Sequence, residues 1–285
     1  MSAASAQRVV RASYVLRQQF RYEYPGPIAE LRHRLVVAPP SQYGDQVRVT
    51  HRLHVSPGVN VRWTKDRYGN AVVMMAADRF EGVLECDYEA SVERSAHDDR
   101  RPRANWFDDD DFRASSALTK PSLALRDAAE RLMAADDGTG KLAASINAFV
   151  AQHMRYVSDV TSVETTAAQA FAQGTGVCQD YAHIMIALCR LCGIPARYVS
   201  GHLLGEGGTH AWVEAIEPAP GTGLASVTAF DPTHDRRANL NYVFVAAGRD
   251  YADVAPTSGR FVAPYAGRFS TTRRVDVLDV EYAAA

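Results

Sequence analysis

Apolar and polar residues alternate through the first third of the chain. YVLRQQFRYEY, LRHRLVVAP, DQVRVTHRLHVSP, VNVRWTKDRYGNAVVMMA and GVLECDYEASVE follow one another between Ser13 and Val92, separated by Pro, Gly and Asn. That two-residue period, interrupted by turn residues, predicts short antiparallel strands and an all-β sandwich over residues 1–95. His33, His51 and His54 are scattered along these strands without grouped carboxylates, so surface or cross-strand roles are expected for them. Gly69 and Asn70 read as a tight turn. SAHDDRRPRANWFDDDDF then replaces the alternation with charge, and residues 96–118 read as an inter-domain linker. Asp108 to Asp111 lack the alternate ligand spacing and the glycine of a calcium loop, which leaves a solvated acidic run.

The period changes beyond that point. Pro121 is placed to open a helix carrying Leu123, Leu125 and Leu132, and Lys141 to Tyr156 repeats the pattern with Leu142, Ile146, Phe149 and Val150. A short helix through Phe171 ends at Gly174 and Gly176, and a new apolar helical run starts at Val177. It carries Tyr181, Ile184, Met185 and Leu188, and stops at Gly193 and Pro195. ARYVSGHLL, the turn GEGG, THAWVEAI and SVTAFDP then read as antiparallel strands. Helices followed by strands give an α+β domain over 119–285, with one helix packed on a sheet.

The candidate chemistry sits where these elements meet. Cys178 falls in the first turn of the buried helix, where unpaired N–H groups and the positive dipole end favour a thiolate. Those groups also suit an oxyanion, with the Cys178 N–H as the first donor and the second unassigned. His210 opens the THAWVEAI strand and Asp231 closes SVTAFDP, supplying an imidazole and a carboxylate to orient it. In the THAWVEAI strand, His210, Trp212 and Glu214 share one face and Ala211, Val213 and Ala215 the other, so the cysteine helix is expected to lie over the histidine face. Gln179 and Asp180 flank the nucleophile, and His202 is placed to line the cleft. His183 suits packing or a supporting hydrogen bond, and His234 is a rival base.

The ordered motifs GVCQDYAH, GIPARYVSGHL, HAWVEA and FDPT resemble the transglutaminase-like superfamily, particularly its bacterial branch of papain-related cysteine enzymes. NYVFVAAGRDYADVAPTSG resembles that branch's C-terminal continuation, and DRYGN its accessory N-terminal domain. The resemblance implies Cys178 as nucleophile, His210 as base and Asp231 as orienting acid. It further implies a papain-related core with the N-terminal β domain, no cofactor and no metal. His202 departs from the aromatic residue frequent in the family at that position, which points to substrate preference.

The expected reaction is acyl transfer through a thioester on a peptide, a protein or a small amide, ending in hydrolysis. Transfer to an amine and a non-catalytic peptide-binding module are the alternatives, with a metal site on Cys178, His210 and His234 as a third. Composition narrows the setting. With 47% hydrophobic and 22% charged residues over 285 positions and a net charge of -2, nucleic-acid or membrane partners are not expected. No stretch approaches the roughly 18 apolar residues of a membrane span, and Ser2 to Arg17 has no signal-peptide pattern, so a cytoplasmic enzyme is expected. The cysteines Cys86, Cys178, Cys189 and Cys192 are then expected as thiols, with Cys189 and Cys192 as packing residues rather than a redox pair or half a zinc site. Oligomeric state is left open.

Overall fold

In the computed structural model, residues 9–96, 109–218 and 225–283 are described. The first seven strands are β1 (Val9–Glu23), β2 (Ile28–Ala38), β3 (Gln42–Tyr43), β4 (Gln46–Val55), β5 (Asn60–Lys65), β6 (Ala71–Phe80) and β7 (Val83–Ser95). A mixed stretch follows with α1 (Asp110–Arg113), α2 (Leu123–Ala134), α3 (Leu142–His153), β8 (Arg155–Tyr156), α4 (Ala167–Gln173), β9 (Thr175–Gly176) and α5 (Cys178–Leu191). The chain ends with β10 (Ala196–Leu203), β11 (His210–Pro218), β12 (Ala225–Asp231), β13 (Arg236–Arg237), β14 (Tyr242–Gly248), α6 (Tyr251–Val254), β15 (Thr257–Val262) and β16 (Arg268–Tyr282). The architecture is α+β, a β-sandwich-like region followed by a helix-on-sheet core.

The strand-rich region forms two antiparallel sheets, ordered β16-β1-β7-β4-β3 and β15-β2-β6-β5. Leu16, Phe20, Leu31, Leu35, Met75 and Leu84 fill the space between them. Two of these strands come from the far end of the chain. β16 pairs along β1 from Tyr282 against Val9 to Arg268 against Glu23, and β15 pairs with β2. The last strands, expected with the catalytic region up to residue 285, therefore complete the N-terminal sheets. The physical reason is edge pairing: β1 and β2 leave an open side that an alternating strand such as RFSTTRRVDVLDVEY can cover.

The second region packs α5 on a sheet ordered β13-β12-β11-β10-β14. Ile184, Met185 and Leu188 of α5 share a core with Ala211, Val213 and Ala215 of β11, while Trp212 belongs to a separate cluster with Val199, Leu203 and Tyr242. The helix thus covers the small-residue face of β11 rather than the histidine face, because alanines allow the closer approach. Ser122 caps α2, its side chain accepting from the Leu125 N–H at 3.3 Å, so the helix starts after Pro121. Leu125, Ala128 and Ala129 are its buried face, and Leu123 is exposed.

Of the expected linker, residues 97–108, including Asp108, lie outside the described residues. The rest is docked at Phe112, while Asp110, Arg113, Ala114 and Ser115 stay exposed. Asp109 caps α1, Phe112 is buried against Ile216 and Val227, and the Arg190 guanidinium donates to the Phe112 carbonyl at 3.1 Å. One aromatic side chain anchors this acidic turn. No helix among the described residues is long and apolar enough to cross a membrane.

The two regions meet along β14, an edge strand whose free backbone side is met by amide side chains. Gln46 donates to the Phe244 carbonyl at 2.8 Å and accepts from its N–H at 2.8 Å. Asn70 does the same for Ala247, at 2.8 and 2.9 Å. Asp66 accepts from the N–H groups of Tyr68 and Asn70, which fixes the DRYGN turn and aims the Asn70 amide. Asn70 therefore docks the two regions as well as closing a turn.

Candidate active site

Gly174, in the left-handed conformation at φ 65°, ends α4, and Val177 in extended conformation starts α5. Cys178 is the first helical residue. The Asp180 carboxylate accepts from the Val177 N–H at 2.8 Å and from the Thr161 hydroxyl at 2.7 Å, so it secures the helix start. A Cβ on Gly176 would collide with that carboxylate. Burial pushes the Asp180 carboxyl up, against the hydrogen bonds that favour its charged form. Gln179 donates to the Ser162 carbonyl at 3.3 Å, tying the first turn to the preceding loop. At the other end Gly193, at φ 76°, turns the chain out of the helix.

His210 and Asp231 come from adjacent strands. His210 Nε2 donates to Asp231 Oδ2 at 2.8 Å, and Cys178 acts on the same imidazole, helping to raise it. Asp231 is fully buried and densely partnered. Its Oδ2 also accepts from the Tyr242 hydroxyl at 2.6 Å and lies 2.8 Å from His234 Nδ1, while Oδ1 accepts from the Thr233 N–H at 2.9 Å. Burial alone would raise the Asp231 carboxyl, but the bonds to His210, Tyr242 and His234 hold it well below the usual carboxylate range. Burial alone would lower His210. Its bonds to Asp231 and Cys178, with their charges, win and push it up to about 10.

His210 and Asp231 are thus brought together, on the face of β11 opposite the one that α5 covers. Cys178 opens α5 and His210 opens β11. The other residues divide. His202 is buried and hydrogen-bonds the Gly208 carbonyl at 3.2 Å, so it braces the β10–β11 turn rather than lining the cleft. Burial lowers its imidazole to about 4 and keeps it neutral. Trp212 is buried behind His210, edge-on to Tyr242 with centroids 5.4 Å apart. His183 is buried and accepts from the Tyr251 N–H at 3.2 Å. His234 shares Asp231 with His210.

Two further residues carry weight at this site. Tyr242 lies in the NYVFV stretch, where its hydroxyl had no local signal. Glu206 sits in the GEGG turn and lies 3.0 Å from His210 Nδ1 and 3.1 Å from His234 Nε2. Among the described residues, His210, Asp231 and His234 form a trio with ligand atoms within 4.8 Å of one another, and Cys178 is not part of it. Those atoms already hydrogen-bond one another through Asp231. Burial pushes the Cys86 thiol up to about 12, Cys192 up to about 11 and Cys189 higher still. A cavity of about 810 Å³ is lined by Arg17, Arg52, Tyr88 and Arg274 on the strand-rich region and contains none of these groups.

The sequence profile of the transglutaminase-like superfamily matches residues 126–221, and that of the bacterial transglutaminase-like N-terminal region matches residues 14–93. The chain belongs to the transglutaminase-like superfamily. An uncharacterized protein of Mycobacterium leprae is 40% identical over 126 residues, covering 41% of this chain and 41% of that protein. One from Mycobacterium bovis is 36% identical over 115 residues, 36% of each. The chain thus matches about two fifths of the length of these curated relatives. A crystal structure described as a candidate cysteine protease from Cytophaga hutchinsonii superposes with a TM-score of 0.76 at 22% identity, covering 96% of this chain and 93% of that one. This transglutaminase-like chain shares its fold over nearly the whole length.

Proposed function

We propose that this chain is a cysteine-dependent acyl-transfer enzyme that cleaves a peptide or amide bond through Cys178, His210 and Asp231. The observation that carries the reading is the His210 imidazole, held at Nε2 by the buried Asp231 carboxylate at 2.8 Å and raised in part by Cys178, the first residue of α5. A thiolate beside an imidazolium is the species that such a pair stabilises. In this reading the Cys178 sulfur attacks the carbonyl carbon, and the helix-start N–H groups receive the oxyanion. The carbon–nitrogen bond breaks as His210 gives its proton to the departing amine, leaving a thioester. Water, losing a proton to His210, then adds to the thioester and releases the acid and the thiolate.

The mouth of the site favours water as acceptor, because His234, Glu206 and Tyr156 are polar and reach solvent. The alternative, transfer to an amine, is favoured by one feature, the Glu206 carboxylate beside His210. A non-catalytic peptide-binding module has less support, since binding alone would not need an imidazole held by a buried carboxylate. A cytoplasmic setting belongs to the same reading, and the four free thiols suit a reducing compartment. The test is incubation with a mixed peptide library, with and without a fluorescent primary amine, analysed by mass spectrometry. Cleavage products that vanish in Cys178→Ala support hydrolysis, and amine-labelled products support transfer. Neither product from the wild-type protein would count against the enzyme reading.

A further inference from the structure

His210 has two ring nitrogens with different neighbours. Nε2 is held by Asp231 at 2.8 Å, so the proton delivered to a departing amine has to leave from Nδ1. The position beside Nδ1 is already taken, since Glu206 Oε2 lies there at 3.0 Å. An amine leaving the acyl group, or one entering to accept it, passes through the space that this carboxylate faces. Glu206 also reaches His234 Nε2 at 3.1 Å, with about two fifths of its side chain exposed to solvent. The Tyr156 hydroxyl is raised by burial first and then by the charges of Cys178 and Glu206.

The turn that carries Glu206 is rich in glycine. Gly205 has φ 90°, and Gly207 and Gly208 have open space where a side chain would stand. The carboxylate meets two imidazoles at its tip, and its side chain is partly open to solvent.

Resting on the proposed acyl-transfer function, we propose that Glu206 is a specificity-determining residue that makes the amine side of the scissile bond a subsite for a cation. The preferred substrates carry positive charge there, as a lysine-like or arginine-like side chain or an ammonium group. Such a group takes the Glu206 carboxylate as its counter-ion and draws it from His210, which opens Nδ1 to the reaction. Anionic substrates are repelled by the same carboxylate.

The test uses small methanethiosulfonates as charged probes of Cys178: neutral methyl, cationic trimethylammonioethyl and anionic sulfonatoethyl. Each forms a mixed disulfide with the thiolate and expels methanesulfinate. Rates on the Cys178 peptide are read by mass spectrometry, normalised to the neutral reagent and to the same ratios on the urea-unfolded chain. In the wild type the cationic reagent is expected to outpace the anionic one by about tenfold beyond that reference, and 1 M salt should abolish the preference. Glu206→Gln, which keeps the shape and removes the charge, should cut the ratio by about fivefold or more. No preference in the wild type, one that resists salt, or a ratio unchanged in Glu206→Gln would overturn the inference. Failure of Cys178 to react with the neutral reagent in the folded protein would instead count against the acyl-transfer reading.

Discussion

His210 and Glu214 stand on the same face of one strand, both buried, and each is the centre of a polar assembly. Around Glu214, the Arg197 guanidinium donates at 2.7 Å and the Tyr43 hydroxyl at 2.6 and 2.7 Å, and Arg197 also bonds the Tyr43 hydroxyl. All the charge there is matched inside the protein, with Arg197 and Glu214 almost wholly covered. Around His210 the inner side is as closed, with Asp231 fully covered. The outer side is not: Glu206 and His234 reach solvent, and Cys178 is half-buried. The difference separates two uses of buried polarity. A closed assembly joins two parts of a fold, here the strand-rich region through Tyr43 and the core sheet through Arg197. One with an open side keeps a reactive group available to a second molecule.

The comparison predicts opposite outcomes for substitutions at the two centres. Cys178→Ala should lower turnover by about a thousandfold or more with little change in melting temperature, since a half-buried small side chain is removed. A variant with wild-type turnover would place the chemistry elsewhere. Asp231→Asn should cost about a hundredfold or more in turnover, less than loss of the nucleophile.

Asp231→Asn also has a pH signature. His210 is raised from 6.5 to about 10, so its proton persists through neutral pH, and the step that donates it weakens only as pH climbs through about 10. Removing the Asp231 charge leaves burial, which lowers the imidazole, less opposed. The alkaline limb of kcat/KM should therefore move to lower pH in Asp231→Asn, and an unmoved limb would show that another group sets it. For stability the sign is the same. The raised His210 contributes fully below its ordinary value near 6.5, and the contribution is lost as pH rises toward about 10.

At the closed centre, Glu214→Gln leaves Arg197 buried with a weaker partner and should destabilise by about 3 kcal/mol, read by denaturant unfolding, while the folded fraction keeps its turnover. Asn70→Ala should cost about 1–3 kcal/mol by leaving the Ala247 N–H and carbonyl without their amide partner. A selective loss of turnover in either variant, at unchanged stability, would erase the distinction between the two centres.

Much of the site was legible in the sequence for local reasons. Gly174 and Gly176 set the helix start, so Cys178 could be placed in its first turn, and turn residues bounded the strands of His210 and Asp231. What escaped was long-range. Glu206 reads as one polar residue in a glycine turn, and only the tertiary fold brings it to His210. Phe112 is hidden in an acidic run, yet one buried aromatic ring decides that α1 docks. Gln46 and Asn70 pair with a strand more than 170 residues away, and β16 with β1 across a still longer separation. The face of β11 that α5 covers was inverted for a packing reason. Period two assigns residues to faces, but the small size of Ala211 and Ala215 decides which face admits a helix.

The central claim is that Cys178 is an activated thiol because of His210. The direct measurement is iodoacetamide labelling across pH with peptide mapping, comparing Cys178 with Cys86, Cys189 and Cys192, whose thiols burial holds protonated. The account predicts selective labelling of Cys178 well below about pH 8, lost in His210→Ala. Slow labelling of Cys178 that rises only with alkaline pH and is indifferent to His210→Ala would contradict it.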